Sequence, residues 1–217
     1  MHKLQAKIQD RTYIGAIIIA AFYFFGTLGI ILGYREWFVP KTAFNLLLTF
    51  AVLLLYQARI DKKLIIALAA CYFIGFIAEY LGVAHGLIFG DYYYPSTLGP
   101  QLLGVPMIIG VNWFLITFVV WNELGKLEWP TILKIFLASL LTTLIDVIIE
   151  PVAIELNFWQ WEGNVVPLQN YVGWFVISFF IFSIYSLLKL PLANKVSKYI
   201  LFWQLFFFAI LFIYFLV

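Results

Sequence analysis

The sequence predicts an all-α integral membrane protein, a bundle of about seven transmembrane helices that forms one polytopic domain over residues 1–217. Its composition is the first indication. Hydrophobic residues make up 65% of the chain and charged residues 11%, whereas a soluble domain has about 25% charged residues. The second indication is the recurrence of apolar runs of roughly 18 residues or more, the length that a helix needs to cross a bilayer.

Seven segments have the length and apolar character of a spanning helix. We place them near 12–33, 42–58, 64–82, 105–122, 131–150, 172–189 and 199–217. Charged residues, glycine and proline mark the breaks between them. The segment before the first helix is short and basic, and the apolar run that follows is long enough to span, so we expect no cleaved signal peptide.

The basic residues predict how the helices are oriented. With seven spans, eleven of the thirteen Lys and Arg residues fall on one side of the membrane: Lys3, Lys7, Arg11, Arg59, Lys62, Lys63, Lys126, Lys134, Lys189, Lys195 and Lys198. Only Arg35 and Lys41 fall on the other side. The positive-inside rule therefore predicts a cytoplasmic N-terminus and a C-terminus outside the cell.

Two long connections, 83–104 and 151–171, then lie on the outer side. Neither contains Lys or Arg, and both are rich in Tyr, Trp, Pro and Gly. An aromatic belt at the membrane interface is one interpretation of such residues. Loops of this length that are aromatic instead of polar more often fold back onto the helices. We therefore expect the two connections to form a roof over the bundle.

Asp146 is the strongest single signal for chemistry. It lies in the apolar segment 131–150, where a carboxylate costs roughly 2.5–3.5 kcal/mol at the helix centre and less near an end. Ionisable groups within a membrane span generally face the bundle and serve function. The alternative is a structural hydrogen bond to a neighbouring helix. Thr142 and Thr143 lie one turn earlier and could hold a carboxyl group in place.

Two glutamates are expected near Asp146. Glu150 follows it by four residues, which places both on one helical face. Because Pro151 ends or kinks the helix, Glu150 could instead lie at the interface and be solvated. Glu79 is near the outer end of the segment 64–82, which runs outward as 131–150 does, so Glu79 and Asp146 reach the same depth. Such a cluster in a dry site can keep one carboxyl protonated near neutral pH, ready to act as an acid.

Several functions are excluded by the residues that they need. A retinal Schiff base requires a lysine in the membrane, usually in the last helix, and 199–217 contains none. A prenyltransferase needs paired acidic motifs for Mg²⁺ and cations for the diphosphate, which the outer loops lack. The single cysteine, Cys71, excludes a cysteine-based zinc site. His85 with two acids nearby is a weak metal site, so we expect no metal.

A set of short motifs gives a more specific indication. In chain order they are EYLG from Glu79, FGDYYY from Phe89, GVPM from Gly104, NW at Asn112–Trp113, DVIIEP from Asp146, WQW from Trp159 and NYVGW from Asn170. This set and its order resemble the membrane carotenoid-biosynthesis family, which includes the CruF-type carotenoid 1',2'-hydratases and bisanhydrobacterioruberin hydratase. The resemblance covers roughly residues 75–180.

The resemblance implies a hydro-lyase of the carotenoid 1,2-hydratase type in a prokaryotic cell membrane. It would add water, without a cofactor, across the terminal double bond of an acyclic ψ end group in lycopene, γ-carotene or a C50 carotenoid. Protonating such an alkene needs a carboxylic acid in a dry pocket, aromatic faces can stabilise the resulting tertiary cation, and a carboxylate can orient the water.

We therefore expect Asp146 to be the general acid and Glu79 or Glu150 to position the water. The expected substrate-binding residues come from the motifs and their neighbours: Asp91, Tyr92, Tyr94, Asn112, Trp113, Trp159, Trp161, Asn170 and Trp174. Of these, Asn112 and Asn170 are the candidates for holding the water.

Two other functions stay open from the sequence. A carotenoid cyclase would form the same cation and close a ring on it, so the two differ only in whether water reaches the cation. A small proton-coupled transporter could use Glu79 and Asp146 as a relay. The sequence lacks an inverted repeat and its long loops are aromatic, and both features argue against a transporter. The carotenoid itself and the oligomeric state cannot be read from the sequence.

Overall fold

The structure, a computed structural model, describes residues 11–216, and these form a bundle of seven long helices joined by short connections and two long loops. The helices are α1 (Thr12–Ile31), α2 (Arg35–Leu55), α3 (Lys62–His85), α4 (Ile108–Leu124), α5 (Thr131–Glu155), α6 (Leu168–Leu188) and α7 (Ser197–Leu216). Six of them are apolar and long enough to cross a membrane, and α4 is shorter, with 17 residues. The predicted all-α membrane bundle is confirmed.

The direction of the bundle in the membrane stays a prediction. Lys3 and Lys7, which contribute to it, lie outside the described residues. Helix α2 contains a short irregularity near its start, where a 3-10 turn at Val39–Lys41 joins Arg35–Phe38 to Thr42–Leu55.

Helix α4 lies at the centre of the bundle. Thirteen of its seventeen residues are buried, and it packs against α2, α3, α5, α6 and α7. The most extensive helix pair is α5 with α6, followed by α1 with α7 and α3 with α4. Because α4 is enclosed by other helices, it does not need the length of a helix that faces lipid.

Helix α5 continues one turn beyond the predicted end at residue 150. It runs through Pro151 to Glu155, and Glu150 is 2% exposed. The alternative of a solvated Glu150 at the interface is therefore wrong. A proline inside a membrane helix is tolerated where neighbouring groups enclose the freed backbone, and here the loop that follows α5 folds back over its end.

The two long connections form one roof over an end of the bundle, as predicted. Strand β1 (Tyr92–Tyr93) of the first loop pairs antiparallel with strand β4 (Gln160–Trp161) of the second, with Tyr92 opposite Trp161. The Glu162 amide extends this pairing by donating to the Asp91 carbonyl at 3.0 Å. Within the first loop, β2 (Gln101–Leu102) and β3 (Val105–Pro106) form a small hairpin.

A polar cluster joins the helices at the end of the bundle away from the roof. Asn194 donates to the Leu53 carbonyl at 2.9 Å, and Asn122 donates to the Ser197 hydroxyl at 2.5 Å. The Ser197 hydroxyl in turn donates to the Glu123 carboxylate. These bonds connect α2, α4 and α7 at this end of the bundle.

Candidate functional site

The site begins on one face of α3. Glu79 is 4% exposed and lies between Gly75 and Gly82 on that face. A Cβ atom at Gly75 would lie 2.5 Å from Cγ of Trp113, and one at Gly82 would lie 2.7 Å from the Tyr92 hydroxyl. The two glycines therefore let aromatic side chains approach the helix closely enough to reach Glu79.

Three donors surround the Glu79 carboxylate. The Trp113 indole donates to Oε1 at 2.9 Å, and the Tyr92 and Tyr94 hydroxyls donate to Oε2 at 2.5 and 2.7 Å. Burial, followed by the nearby charge of Glu79, raises the pKa of both tyrosines well above the ordinary value of 10.0. Both hydroxyls therefore keep their protons and act as donors at neutral pH.

We predict that Gly75→Ala displaces Trp113 and destabilises the protein by about 1–3 kcal/mol, the usual cost of overpacking. The measurement is the thermal unfolding midpoint of the purified protein in detergent. Gly26→Ala is the matched control, because a Cβ atom there meets its nearest neighbour, in Phe207, at 3.9 Å. An unchanged midpoint for Gly75→Ala would contradict the close-packing argument.

The second carboxylate, Glu150, is held in a similar way. The indole nitrogens of Trp159 and Trp161 donate to Oε2 at 2.9 and 2.8 Å. The Asn170 amide donates to Oε1 at 3.1 Å. Glu79 and Glu150 are thus each bound by three donors, and in each case two of the three come from the roof.

The pairing of β1 with β4 explains the spacing of these donors. Successive side chains of a strand point to opposite faces. Tyr92 with Tyr94, and Trp159 with Trp161, are two residues apart and all donate into the bundle, whereas Tyr93 between the tyrosines is 59% exposed. The motifs YYY and WQW therefore contain the two short strands, and each motif presents a pair of donors to one carboxylate.

Asp146 lies behind Glu150 on α5 and is 0% exposed. Its Oδ2 accepts from the Asn170 amide at 2.8 Å, and the same nitrogen donates to Glu150. Its Oδ1 is buried and has no hydrogen-bond partner among residues 11–216. A charged oxygen without a partner is costly in an apolar interior, and two adjacent carboxylates rarely both ionise there. The arrangement therefore suits a pair of neighbouring carboxyl groups, bridged by the Asn170 amide, of which one is protonated.

The two threonines of α5 do not hold Asp146, so that expectation is wrong. The Thr142 hydroxyl donates to the Ala138 carbonyl at 2.8 Å, and the Thr143 hydroxyl donates to the Ser139 carbonyl at 3.0 Å. Both bonds run back along the same helix, as is common for threonine within a helix.

Glu79 and Glu150 face a small chamber. Its volume of about 20 Å³ is enough for one water molecule. Twelve residues line it: Glu79, Phe89, Tyr92, Tyr94, Ile109, Asn112, Trp113, Glu150, Trp159, Trp161, Asn170 and Trp174. The chamber thus combines two carboxylates, two amides and a wall of aromatic rings.

The aromatic wall is tightly stacked next to Glu79. Trp113 and Trp174 lie face to face, with ring centroids 4.1 Å apart and planes 19° apart. Phe89 packs on both, at 6.1 Å from Trp113 and 6.4 Å from Trp174. Such ring faces attract a positive charge, so a cation formed in the chamber would be stabilised.

A much larger cavity, of about 600 Å³, lies beside the chamber. Its wall comes mainly from apolar and aromatic side chains of α1, α2 and α7, with Leu98 and Phe158 from the loops. Ile109, Asn112 and Trp159 line both spaces. Three side chains therefore form the boundary between the chamber and the large, mainly apolar cavity.

Ten of the twelve side chains named from the sequence line the chamber. The two others are Asp146, which contacts Asn170 from behind, and Asp91, which is exposed on the roof and takes part through its backbone carbonyl. Sequence reasoning did not name Phe89 or Ile109. Phe89 begins the motif FGDYYY and could have been found, whereas nothing distinguishes Ile109 from other apolar residues of α4.

Within residues 11–216, no group of three or more His, Cys, Asp or Glu side chains is placed to hold a metal ion.

Comparison with known proteins adds a family and a relative. The sequence model of a family described as "Carotenoid biosynthesis protein" matches residues 41–217. Bisanhydrobacterioruberin hydratase from Haloarcula japonica is 31% identical over 123 residues, which cover 53% of this chain and 42% of that protein. The match thus spans less than half of the relative. No solved structure matches the chain.

Proposed function

The chain belongs to the family of carotenoid biosynthesis proteins, and on that premise we propose that it adds water across the terminal 1',2' double bond of an acyclic carotenoid end group. One observation carries the proposal. A chamber with room for one water molecule and two facing carboxylates adjoins an apolar cavity of about 600 Å³. Cavities of this size hold small organic ligands, and the apolar lining suits a polyene.

The substrate lies in the large cavity with its end group at the three side chains that face both spaces. A carotenoid is about as long as a bilayer is thick, roughly 30 Å, so its remaining length extends along the helices. Ile109, Asn112 and Trp159 then meet the terminal double bond. The substrate class is an acyclic carotenoid such as lycopene, γ-carotene or a C50 carotenoid.

Glu150 gives the proton in this proposal. Glu150 lines the chamber, whereas Asp146 does not. The role of general acid that the sequence suggested for Asp146 is therefore assigned to Glu150, with Asp146 as its neighbour. The proton forms a bond to C2', and the electron pair of the double bond is used in that bond. A tertiary cation remains at C1', beside the stacked rings of Trp113 and Trp174.

Glu79 accepts the second proton. Its carboxylate, held by Tyr92, Tyr94 and Trp113, orients the water and takes a proton as the water oxygen bonds to C1'. One proton is given and one is taken, so no net proton is consumed. The proton on Glu79 must return to the Asp146–Glu150 pair before the next turnover.

The chamber favours a hydratase over a cyclase. A cyclase must keep water from its cation, whereas here two carboxylates and the Asn112 and Asn170 amides line a space of about 20 Å³ directly beside the cation. These groups are hydrogen-bonding partners for water. We place the reaction in a prokaryotic cell membrane, with the roof on the outer side.

Expression in bacteria that accumulate lycopene or γ-carotene tests the function. The pigments are extracted and analysed by liquid chromatography with mass spectrometry. We expect a product heavier by one water, with the conjugated chromophore unchanged. A product of unchanged mass and shifted absorption would identify a cyclase. If no pigment changes, the experiment is repeated in cells that make a C50 carotenoid. The absence of any change in those cells as well would overturn the proposal.

A further inference from the structure

The large cavity reaches the surface of the bundle on one side. Most of the residues that line it are buried or half-buried. Those that line it and are also exposed all belong to α1 or α2: Phe22, Phe25, Trp37, Lys41 and Phe44. A residue that faces a cavity and the surface at once marks the place where the two meet. The cavity therefore opens between α1 and α2.

Helices α1 and α2 contact each other closely at both ends of this opening. At the end near the roof, a Cβ atom at Gly29 of α1 would overlap the Phe38 ring of α2. At the other end, a Cβ atom at Gly15 would lie 2.5 Å from Cε2 of Tyr56, which follows α2 directly. The Tyr56 hydroxyl also accepts from the Gly15 amide at 3.1 Å. The two glycines thus let the helices meet on both sides of the opening.

A pair of aromatic rings lies across the opening between these two contacts. Gly15, Phe22 and Gly29 follow one another at intervals of seven residues, close to two helical turns, so they share one face of α1. The Phe22 ring packs against the Phe44 ring of α2, with centroids 6.2 Å apart and planes 46° apart. Phe22 is 43% and Phe44 58% exposed. We call this opening, bounded by the two glycine contacts, the α1–α2 window.

The other sides of the cavity are closed by packed side chains. Leu98 and Phe158 of the two loops cover it towards the roof, and both are buried. On the side of α7, Gln204 is buried, and the Phe207 ring packs edge-on against Tyr23 of α1 with centroids 6.1 Å apart. An apolar carotenoid is dissolved in the bilayer, so the side of the bundle that faces lipid is where it meets the protein.

We propose that the carotenoid enters the cavity sideways from the lipid, through the α1–α2 window, and that the Phe22 and Phe44 rings move apart to admit it. The proposal rests on the proposed function, because the carotenoid is the ligand assumed for the cavity. Lipid tails are as apolar as the rings, so no hydrophobic force holds the two rings together. Exposed side chains change rotamer within nanoseconds. The window can therefore open while the two glycine contacts hold the helices in place.

A cross-link across the window tests the proposal by binding alone. Phe22→Cys and Phe44→Cys are introduced together, and a reducible bifunctional thiol reagent joins the two cysteines in the purified full chain. The one native cysteine, Cys71, is buried, so the reagent reaches the introduced pair. Uptake of lycopene from detergent is followed as quenching of tryptophan fluorescence by the polyene, since Trp37 and Trp159 line the cavity.

The order of loading and cross-linking distinguishes a closed window from a damaged fold. Cross-linking before lycopene is added should abolish its uptake, and reduction of the cross-link should restore it. Cross-linking after loading should trap the lycopene, so that it stays with the protein while free lycopene is washed away with fresh detergent. A cross-link that only damaged the fold would lose the ligand in both orders.

The matched control joins α1 to a different helix. Ile31→Cys and Tyr214→Cys are cross-linked with the same reagent, at the place where the Tyr214 hydroxyl of α7 donates to the Ile31 carbonyl at 3.5 Å. Neither residue lines the cavity. This cross-link should change neither the uptake nor the release of lycopene.

A variant with both rings removed is a second test that needs no reagent. Phe22→Ala with Phe44→Ala should speed the association and the dissociation of lycopene alike, by about twofold to tenfold, the value of one aromatic pair. The affinity should change less than either rate. Phe24→Ala, on an exposed residue of α1 that does not line the cavity, is the control and should keep both rates.

Four results would overturn the proposal: uptake by the cross-linked window variant at the rate of its reduced form, loss of lycopene from the variant cross-linked after loading, unchanged rates in the double alanine variant, or no binding of lycopene to the unmodified protein. The two proposals fail separately. Uptake that depends on the window, without any addition of water, would refute the hydratase and leave the window. Addition of water by a protein whose uptake is indifferent to the cross-link would leave the hydratase and refute the window.

Discussion

Glu79→Gln is expected to lower the rate of water addition by on the order of 10³-fold, within the range for loss of a general base. The glutamine side chain has the same shape and can still accept from Tyr92 and Tyr94, but it cannot take a proton from water. The chamber would then hold water that cannot be deprotonated as it attacks the cation. The loss should appear in the turnover rate of the purified protein with an acyclic carotenoid.

The control for this variant is Glu162→Gln. Glu162 belongs to the roof but is exposed, so its replacement should leave the rate and the folding unchanged. Both variants should stay in the membrane fraction, and Glu79→Gln should keep a thermal midpoint close to that of the unmodified protein. Full activity in Glu79→Gln would contradict the role of this carboxylate as base.

Glu150→Gln is expected to abolish the reaction to a similar extent, on the order of 10³-fold, because the alkene then meets no acid. The glutamine oxygen can still accept from the Trp159 and Trp161 indoles, whereas its NH₂ group cannot accept from the Asn170 amide. Two of the three hydrogen bonds are therefore kept, and the main loss is the proton. Asp146→Asn should lower the rate less, by about 100-fold, because Glu150 remains but has lost the neighbouring carboxyl group that favours its protonated form. Rates of both variants, measured side by side, separate the two roles.

The matched control on the same helix is Glu155→Gln, since Glu155 is exposed one turn beyond Glu150. It should behave as the unmodified protein. An active Glu150→Gln variant together with an inactive Asp146→Asn variant would contradict the assignment and make Asp146 the acid that meets the substrate.

The helices and the relative depth of the acidic residues could be predicted, because they depend only on the length of the apolar segments and on their order in the chain. An apolar run of about 20 residues spans a bilayer, and helices that run in the same direction place Glu79 and Asp146 at the same level. The aromatic loops without Lys or Arg likewise predict a roof. The structure confirms the bundle and the meeting of the two loops.

Which carboxylate faces the chamber could not be predicted. Helix α5 is apolar on all sides, so its pattern does not show that Glu150 points into the chamber while Asp146 lies behind Asn170. Nor does a proline show whether a helix ends at it: α5 continues past Pro151 because the roof encloses its last turn. Both features depend on tertiary packing, which a single sequence does not express.

The large cavity could not be predicted from the sequence either. Its wall joins α1, α2 and α7, helices that are far apart in the chain and similar in composition. Asn45 stands out in α2 as one amide among leucines and phenylalanines, but an amide in a spanning helix more often bonds to another helix. That its oxygen has no hydrogen-bond partner among residues 11–216 is visible only once the helices are packed.

The most direct test of the central claim uses water labelled with heavy oxygen. Purified protein is incubated with an acyclic carotenoid in labelled water, and the product is analysed by mass spectrometry beside the Glu79→Gln variant. We predict a product that carries one labelled oxygen and one added pair of hydrogens, formed by the unmodified protein and not by the variant. A product without labelled oxygen, or one with the mass of the substrate, would contradict capture of a carotenoid cation by water in this chamber.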